Sequence, residues 1–268
     1  MTKTPKVLVV VPLRLASVRV PQKILQPIHK TPLAVRTVGR VLQAFENNTE
    51  VAVLAAVDSP LTKEVLQKNF PTLEVMLTDA ELPSGTDRVF AASSLFLKKH
   101  PEVKNQLKGI INVQGDMPFV GTEGLKSIVN YYLDSSDAQL KAVPMATLAE
   151  SWPFEGENAL DYESPSAVKV LSDHNEIAIY FSRHPIPCAD LHIGVYGYTF
   201  STLNEICGSA PVPLELEERL EQLRELWLGI KIRVLPTTCE SHDSNRGMDT
   251  PEDMQWAERF ANKHKDSL

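Results

Sequence analysis

What this sequence of 268 residues lacks already narrows what it can be. Its three cysteines, Cys188, Cys207 and Cys239, are odd in number and form no C-x-x-C pair. That excludes a disulfide framework and a structural zinc site, and fits reduced thiols in a cytoplasm. Glycine is sparse, and neither G-x-G-x-x-G nor the Walker loop G-x-x-x-x-G-K-S/T occurs, which disfavours an NAD-dependent oxidoreductase and a P-loop enzyme. No two histidines are spaced like an H-E-x-x-H metal pair. No apolar run approaches membrane-spanning length, and Met1–Lys6 leads into a short apolar run ended by Pro12, too short for a signal segment. A net charge of -7 argues against a surface that coats nucleic acid, while leaving room for a local basic pocket.

Apolar residues at 43% and charged residues at 23% are ordinary for a compact globular chain. The run Val7–Val11 is continuous, β-branched and ended by Pro12, the pattern of a strand buried on both faces of a parallel sheet. Apolar residues at helical spacing from Ala34 to Phe45 follow, then a strand over Val51–Val57. Helices near Leu61–Asn69, Thr86–Lys98 and Glu123–Leu133 alternate with strands near Leu73–Leu77, Gly109–Val113 and Ala142–Ala146. This alternation predicts an α/β fold with a mostly parallel sheet flanked by helices, in which ligands bind at the carboxyl ends of the strands. From Trp152 the pattern changes. Pro153, Pro165, Pro185 and Pro187 punctuate β-rich pieces at Ala167–Leu171, Ile177–Phe181 and Ile193–Tyr198, which predicts a small antiparallel insertion over about 165–200 within one domain spanning 1–268. A helix over Leu214–Trp227, a strand over Lys231–Leu235 and a last helix from Thr250 complete the chain.

Four segments can carry chemistry. The loop after the first strand places Arg14, Arg19 and Lys23 where ligands collect, and several cations there suit a triphosphate. In Asn112-Val113-Gln114-Gly115-Asp116 a carboxylate stands just past a buried strand. Such an Asp suits Mg²⁺, which takes few protein oxygens and fills its shell with water and phosphate; Asp249 is a second candidate. Ser84-Gly85-Thr86-Asp87-Arg88 is a small-residue turn entering a helix, suited to presenting backbone and hydroxyl groups to a base or ribose. The run Leu214–Arg224 carries Glu215, Glu217, Glu218 and Glu221, which reads as the wet face of an amphipathic helix.

Taken together, the ordered set resembles the CMP-Kdo synthetase (3-deoxy-manno-octulosonate cytidylyltransferase) family of nucleotide-diphospho-sugar transferase-like folds. The matching residues are Pro12, Arg14, Ser17, Arg19, Pro21 and Lys23; Ser84-Gly85-Thr86; Gln114-Gly115-Asp116; Ala167-Val168-Lys169-Val170; Tyr180-Phe181-Ser182-Arg183; His192 to Tyr198; Leu220 to Arg224; and Asp249 to Asp253. The resemblance implies that Arg14, Arg19 and Lys23 grip the phosphates of CTP, that Ser84, Gly85 and Thr86 help hold the nucleotide, and that Asp116 and Asp249 bind Mg²⁺. It implies that Arg183, His192, Tyr196, Glu215, Glu218 and Gln222 line a sugar-acid pocket, with Gln114 between the two substrates. It further implies coupling of CTP to a 2-keto sugar acid, most naturally Kdo, for lipopolysaccharide precursors, in a cytoplasmic homodimer that pairs through the inserted sheet. An amino-Kdo or sialic acid is the nearest alternative substrate, and a catalytically silent sugar-nucleotide-binding protein the alternative of a different class. The chain departs from the family pattern at Gln22, where glycine is usual, at Val57, Met117 and Leu216, and in the short segment Cys188-Ala189-Asp190.

Overall fold

The computed structural model describes residues 4–17, 19–151, 166–238 and 244–264; Val18, Trp152, Pro153, Pro165 and Cys239 lie outside them. Strand β1 (Val7–Leu13) is buried at every position. A tight hairpin, β2 (Pro27–Ile28) and β3 (Thr31–Pro32), leads into α1 (Leu33–Ala44), and β4 (Val51–Val57), α2 (Pro60–Asn69), β5 (Glu74–Leu77), α3 (Gly85–Lys99), β6 (Gly109–Val113) and α4 (Thr122–Asp134) follow. Then come α5 (Asp137–Ala142), β7 (Met145–Glu150), β8 (Lys169–Ser172), β9 (Ala178–Ser182), β10 (Asp190–Tyr198), α6 (Phe200–Cys207), α7 (Pro213–Glu218), α8 (Gln222–Trp227), β11 (Ile232–Thr237) and α9 (Pro251–Lys263).

The main sheet runs β11-β7-β10-β6-β1-β4-β5. Strands β6, β1, β4 and β5 are mutually parallel, as are β7 and β11, while β10 runs antiparallel to both β6 and β7. Because β10 runs the other way, its second half pairs with β6, Val195 standing opposite Val113 at the carboxyl end, and its first half extends beyond that end along β7. The antiparallel pair β8–β9 joins the same end through Leu191 and Lys169. Alternate residues of β1 feed two cores: Val7, Val9, Val11 and Leu13 pack with α1 and α4, and Leu8 and Val10 with α3 and α6. Burial on both faces is why that segment reads as an unbroken apolar run. Tyr132 lies flat on the sheet because Gly109 and Gly197 leave room for its ring; a Cβ at either would come within 2.4 Å of it.

Three local features differ from the sequence expectation, each for a physical reason. The strand expected at Ala142–Ala146 starts at Met145, because Ser136 and Gln139 form a capping box that opens α5 first. The helix expected over Leu214–Trp227 is two short helices, broken where Arg219 adopts the left-handed conformation at φ 55°. Helix α6 was not read from periodicity; Thr199, whose hydroxyl accepts the Thr202 N–H, is its sequence signal. The last helix is capped by Thr250, which leaves the Asp249 carboxylate available elsewhere.

Candidate active site

The carboxyl ends of β1 and β6 meet through glycine. A Cβ on Gly115 would stand 2.4 Å from the Pro12 carbonyl oxygen and 2.5 Å from Leu13, so only glycine lets the two strand ends approach this closely. Thr37 Oγ donates to the Gly115 carbonyl at 3.1 Å, and the Met248 N–H donates to the Asp116 carbonyl at 2.9 Å, drawing the 247–249 segment against Asp116. Residues 133 positions apart in sequence, Asp116 and Asp249, thereby come to one ammonium group: Lys23 Nζ lies 2.6 Å from Asp116 Oδ2 and 3.1 Å from Asp249 Oδ1. Arg19 reaches the same Asp249 oxygen at 3.1 Å. Burial pulls the Lys23 pKa down, but the two carboxylates outweigh it and hold the ammonium above its ordinary value, so it stays charged. Gln22, just before this lysine, has φ 50°, the backbone that favours glycine, which accounts for the glycine usual in the family.

A cavity of about 260 Å³ opens beside this cluster, lined by Arg14, Ser17, Lys23, Ser84, Gly85, Arg88, Gln114 and Asp116 among others. Ser84 caps α3 by accepting the Asp87 N–H at 3.1 Å. The hydroxyls of Ser84 and Thr86 also donate to Glu221, at 3.3 and 3.0 Å. The turn therefore offers the cavity chiefly its main chain and the amino end of α3. Glu221 thus lies against the Ser84–Thr86 turn, although sequence reasoning placed it on a wet helix face. The break at Arg219 is the reason it is not, since it turns α8 back toward the core. Burial raises the Glu221 carboxyl above its usual range, with Thr86, Ser84 and Arg224 opposing, and burial pushes its neighbour Glu225 up to about 8.

A larger cavity of about 1060 Å³ lies on the other side, lined by Gln114, Asp116, Arg183, His192, Tyr196, Gln222 and Asp249 among others. His192 and Tyr196 come from β10, whose register shifts between Ile193 and Tyr196. His192 Nε2 lies 2.9 Å from Thr147 Oγ, and burial lowers the imidazole to about 3, so the ring is neutral at physiological pH. Arg183, just past β9, is steadied by carbonyl oxygens of Glu218 and Arg219, both at 3.3 Å. Two of the residues expected here lie off the cavity wall. Glu215 is buried in a two-pronged pair with Arg224, and the Glu218 carboxylate accepts the Tyr180 hydroxyl at 3.4 Å. Arg19 lines neither cavity; its contact is Asp249. Gln114 and Asp116 alone of the candidates taken from the loop after β6 line both cavities, so two ligands bound one in each would meet there.

Among the described residues no group of three or more His, Cys, Asp or Glu side chains gathers as a metal site. Asp116 and Asp249 are instead a pair of hard oxygen donors. The ammonium held between them marks where positive charge is favoured, an arrangement that fits a cation completing its shell with phosphate and water.

A family profile described as cytidylyltransferase matches residues 8–232. A 3-deoxy-manno-octulosonate cytidylyltransferase of Nitratiruptor sp. is 32% identical over 255 residues, covering 92% of this chain and 97% of that one. A protein of Burkholderia ambifaria described as 3-deoxy-manno-octulosonate cytidylyltransferase 2 is 36% identical over 263 residues, covering 92% and 89%. Among solved structures, a CMP:2-keto-3-deoxy-manno-octonic acid synthetase complexed with CTP superposes with a TM-score of 0.78 at 26% identity, covering 97% of this chain and 99% of that one.

Proposed function

Since the chain belongs to the 3-deoxy-manno-octulosonate cytidylyltransferase family, we propose that it couples CTP to a 2-keto sugar acid, Kdo, to give CMP-Kdo and pyrophosphate. The observation that carries this reading is the pair of cavities that share Gln114 and Asp116. CTP occupies the smaller, with Arg14 and Lys23 against its phosphates, and the sugar acid the larger, with Arg183 facing its carboxylate. The anomeric hydroxyl of the sugar attacks the α-phosphorus and pyrophosphate leaves, with no covalent enzyme intermediate. The residues do this by holding the two reactants together and by neutralising charge as it builds on the phosphates. Asp116 and Asp249 hold Mg²⁺, which when bound supplies Lewis-acid polarisation of the α-phosphate. His192, kept neutral, serves as a hydrogen-bonding wall rather than a cation, leaving Arg183 to recognise the carboxylate.

The chain pairs with a second copy through its antiparallel sheet, a reading supported by Ile179 and Leu171, exposed apolar residues on β9 and β8. Sedimentation of the wild type and Ile179→Glu tests this: a dimer that the substitution splits supports it, and a monomeric wild type sinks it. No helix among the described residues is long and apolar enough to cross a membrane. The cytoplasm, where CTP is made, is the compartment this reading assigns, and supply of lipopolysaccharide precursors the use. The activity is tested by giving the purified protein CTP, Mg²⁺ and, separately, Kdo, an amino-Kdo and a sialic acid. The largest kcat/KM with Kdo is the expected result; no pyrophosphate with any of them would overturn the enzyme reading in favour of a binding protein.

A further inference from the structure

Lysine is rarely buried completely, because its ammonium then loses water that few groups replace. Lys169, in β8, is 0% exposed. Its Nζ donates to the carbonyl oxygens of Ala167 and Arg183, both at 2.9 Å. Both acceptors belong to residues that line the 1060 Å³ cavity. The strand register explains why the ammonium arrives there. Lys169 stands opposite Ser182 on β9, the residue before Arg183, and opposite Leu191 on β10, another residue of the cavity wall. Side chains directly opposite each other in an antiparallel pair share a face, so the Lys169 side chain lies on the face that bears Leu191. The His192 N–H donates to the Val168 carbonyl at 2.8 Å, which ties β8 to the next wall residue of β10.

Two sets of contacts thus fix Arg183 from opposite ends. Lys169 holds its main chain, and the carbonyls of Glu218 and Arg219 hold its guanidinium. A neutral donor is enough for the first task, but a buried charge does more. Through packed protein, a positive charge just behind the wall acts on an anion in the cavity more strongly than it does through water. The part of the wall that β8, β9 and β10 build is otherwise short of positive charge. Burial keeps His192 neutral, Val168, Leu191 and Ile193 are apolar, and Arg183 is the cation that faces the cavity there. Glu150, opposite Leu191 on β7, brings a carboxylate to the same side. The other cations of the cavity, Arg219, Arg246, Arg259 and Lys263, come from the break between α7 and α8, from the segment before α9 and from α9 itself.

We propose that Lys169 is a positioning residue that sets the preference of the larger cavity for an acid. It fixes the main chain of Arg183 and adds its own buried positive charge behind the place where the substrate carboxylate meets that arginine. The inference rests on the sugar-acid reading of this cavity and deepens it. Lys169 does not touch the substrate, and no bond is made or broken at it. A neutral sugar of the same shape gains from the placement of Arg183 but nothing from the charge.

The test is calorimetry in the presence of CTP and Mg²⁺ with two unreactive probes: 2-deoxy-Kdo, which lacks the attacking hydroxyl, and its methyl ester, which also lacks the negative charge. Wild type, Lys169→Gln and Lys169→Arg are compared, with circular dichroism to show which are folded. The wild type is expected to prefer the acid. Lys169→Gln keeps amide donors for the two carbonyls but no charge, so it should lose about tenfold or more in affinity for the acid and less than about threefold for the ester. Lys169→Arg keeps the charge and should keep the preference to within about threefold. Equal losses for both probes, or no loss, in folded Lys169→Gln overturn the proposal and leave Lys169 a strut between β8 and β9. If the glutamine variant does not fold, the arginine variant decides, since an acid preference lost while the charge is kept also overturns it. A wild type that binds neither probe defeats the sugar-acid reading itself, and the proposal with it.

Discussion

The two halves of the site are built differently. On the side proposed for the nucleotide, the candidate residues sit on loops between parallel strands and the helices that follow them: Lys23 after β1, the Ser84–Thr86 turn opening α3, Asp116 after β6. On the sugar-acid side they come from a strand that runs against its neighbours, from the end of β9 and from two short helices, and much of their charge is buried and internally paired. The first arrangement is local in sequence and recurs wherever a parallel sheet meets a phosphate. The second depends on tertiary contacts, so its side chains divide between those that face ligand and those that hold the frame.

The sharpest way to break this contrast is on the nucleotide side. Replacing Lys23 by Met leaves Asp116 and Asp249 without their shared ammonium and removes charge from the phosphates; kcat is expected to fall about 10³-fold, and a fall of less than about tenfold in steady-state rate would refute the assignment. On the other side, Arg183→Ala should raise KM for the sugar acid about 100-fold through loss of a charged hydrogen bond, while KM for CTP moves less than about twofold. Parallel rises in both KM values would mean the halves are not separable.

A frame residue should answer to pH rather than to substrate. Glu225 titrates near 8 in the folded protein against 4.5 ordinarily. Between those values the folded state keeps a proton that the unfolded chain releases, so stability is complete below about 4.5 and is lost as pH rises through 8. Glu225→Gln removes that loss. Its melting temperature at pH 9 should exceed wild type by about 5 °C, with the gap closing near pH 4; a gap independent of pH would contradict the burial of an ionisable carboxyl there. The smallest effect is expected at Gln22→Gly. Relieving the left-handed backbone gains about 1 kcal/mol, and the added freedom of the unfolded chain takes back a similar amount. Thermal melting should shift by no more than about 2 °C, and KM for CTP by less than about threefold; a larger drop in KM would show that the Gln22 side chain obstructs phosphate.

The same contrast explains what could be read in advance. Alternation of apolar runs with helical periodicity made the parallel sheet legible, and Asp116, Lys23 and Gln114 were legible because their motifs sit on adjoining strand ends. Glu221 and Glu225 were not. A pattern that sorts residues by polarity places glutamates on a wet face, and nothing in it signals the left-handed turn at Arg219 that folds α8 inward. Nor is the Glu215–Arg224 pair a helical neighbour pair, since the two stand nine positions apart; it exists only because the helix breaks between them. Arg88 ends a motif that was noticed, but its buried contacts with Thr78, Asp79 and Asp58 are visible only in the fold.

The central claim is that nucleotide and sugar acid meet at the residues shared by the two cavities. It is tested most directly by single-turnover release of pyrophosphate from CTP in the presence of Kdo and Mg²⁺, comparing the wild type with Asp116→Ala after circular dichroism has shown both to be folded. The account predicts rapid, Kdo-dependent release by the wild type and near-complete loss in the variant. Equal rates in the two proteins would remove Asp116 from the reacting centre and contradict the claim.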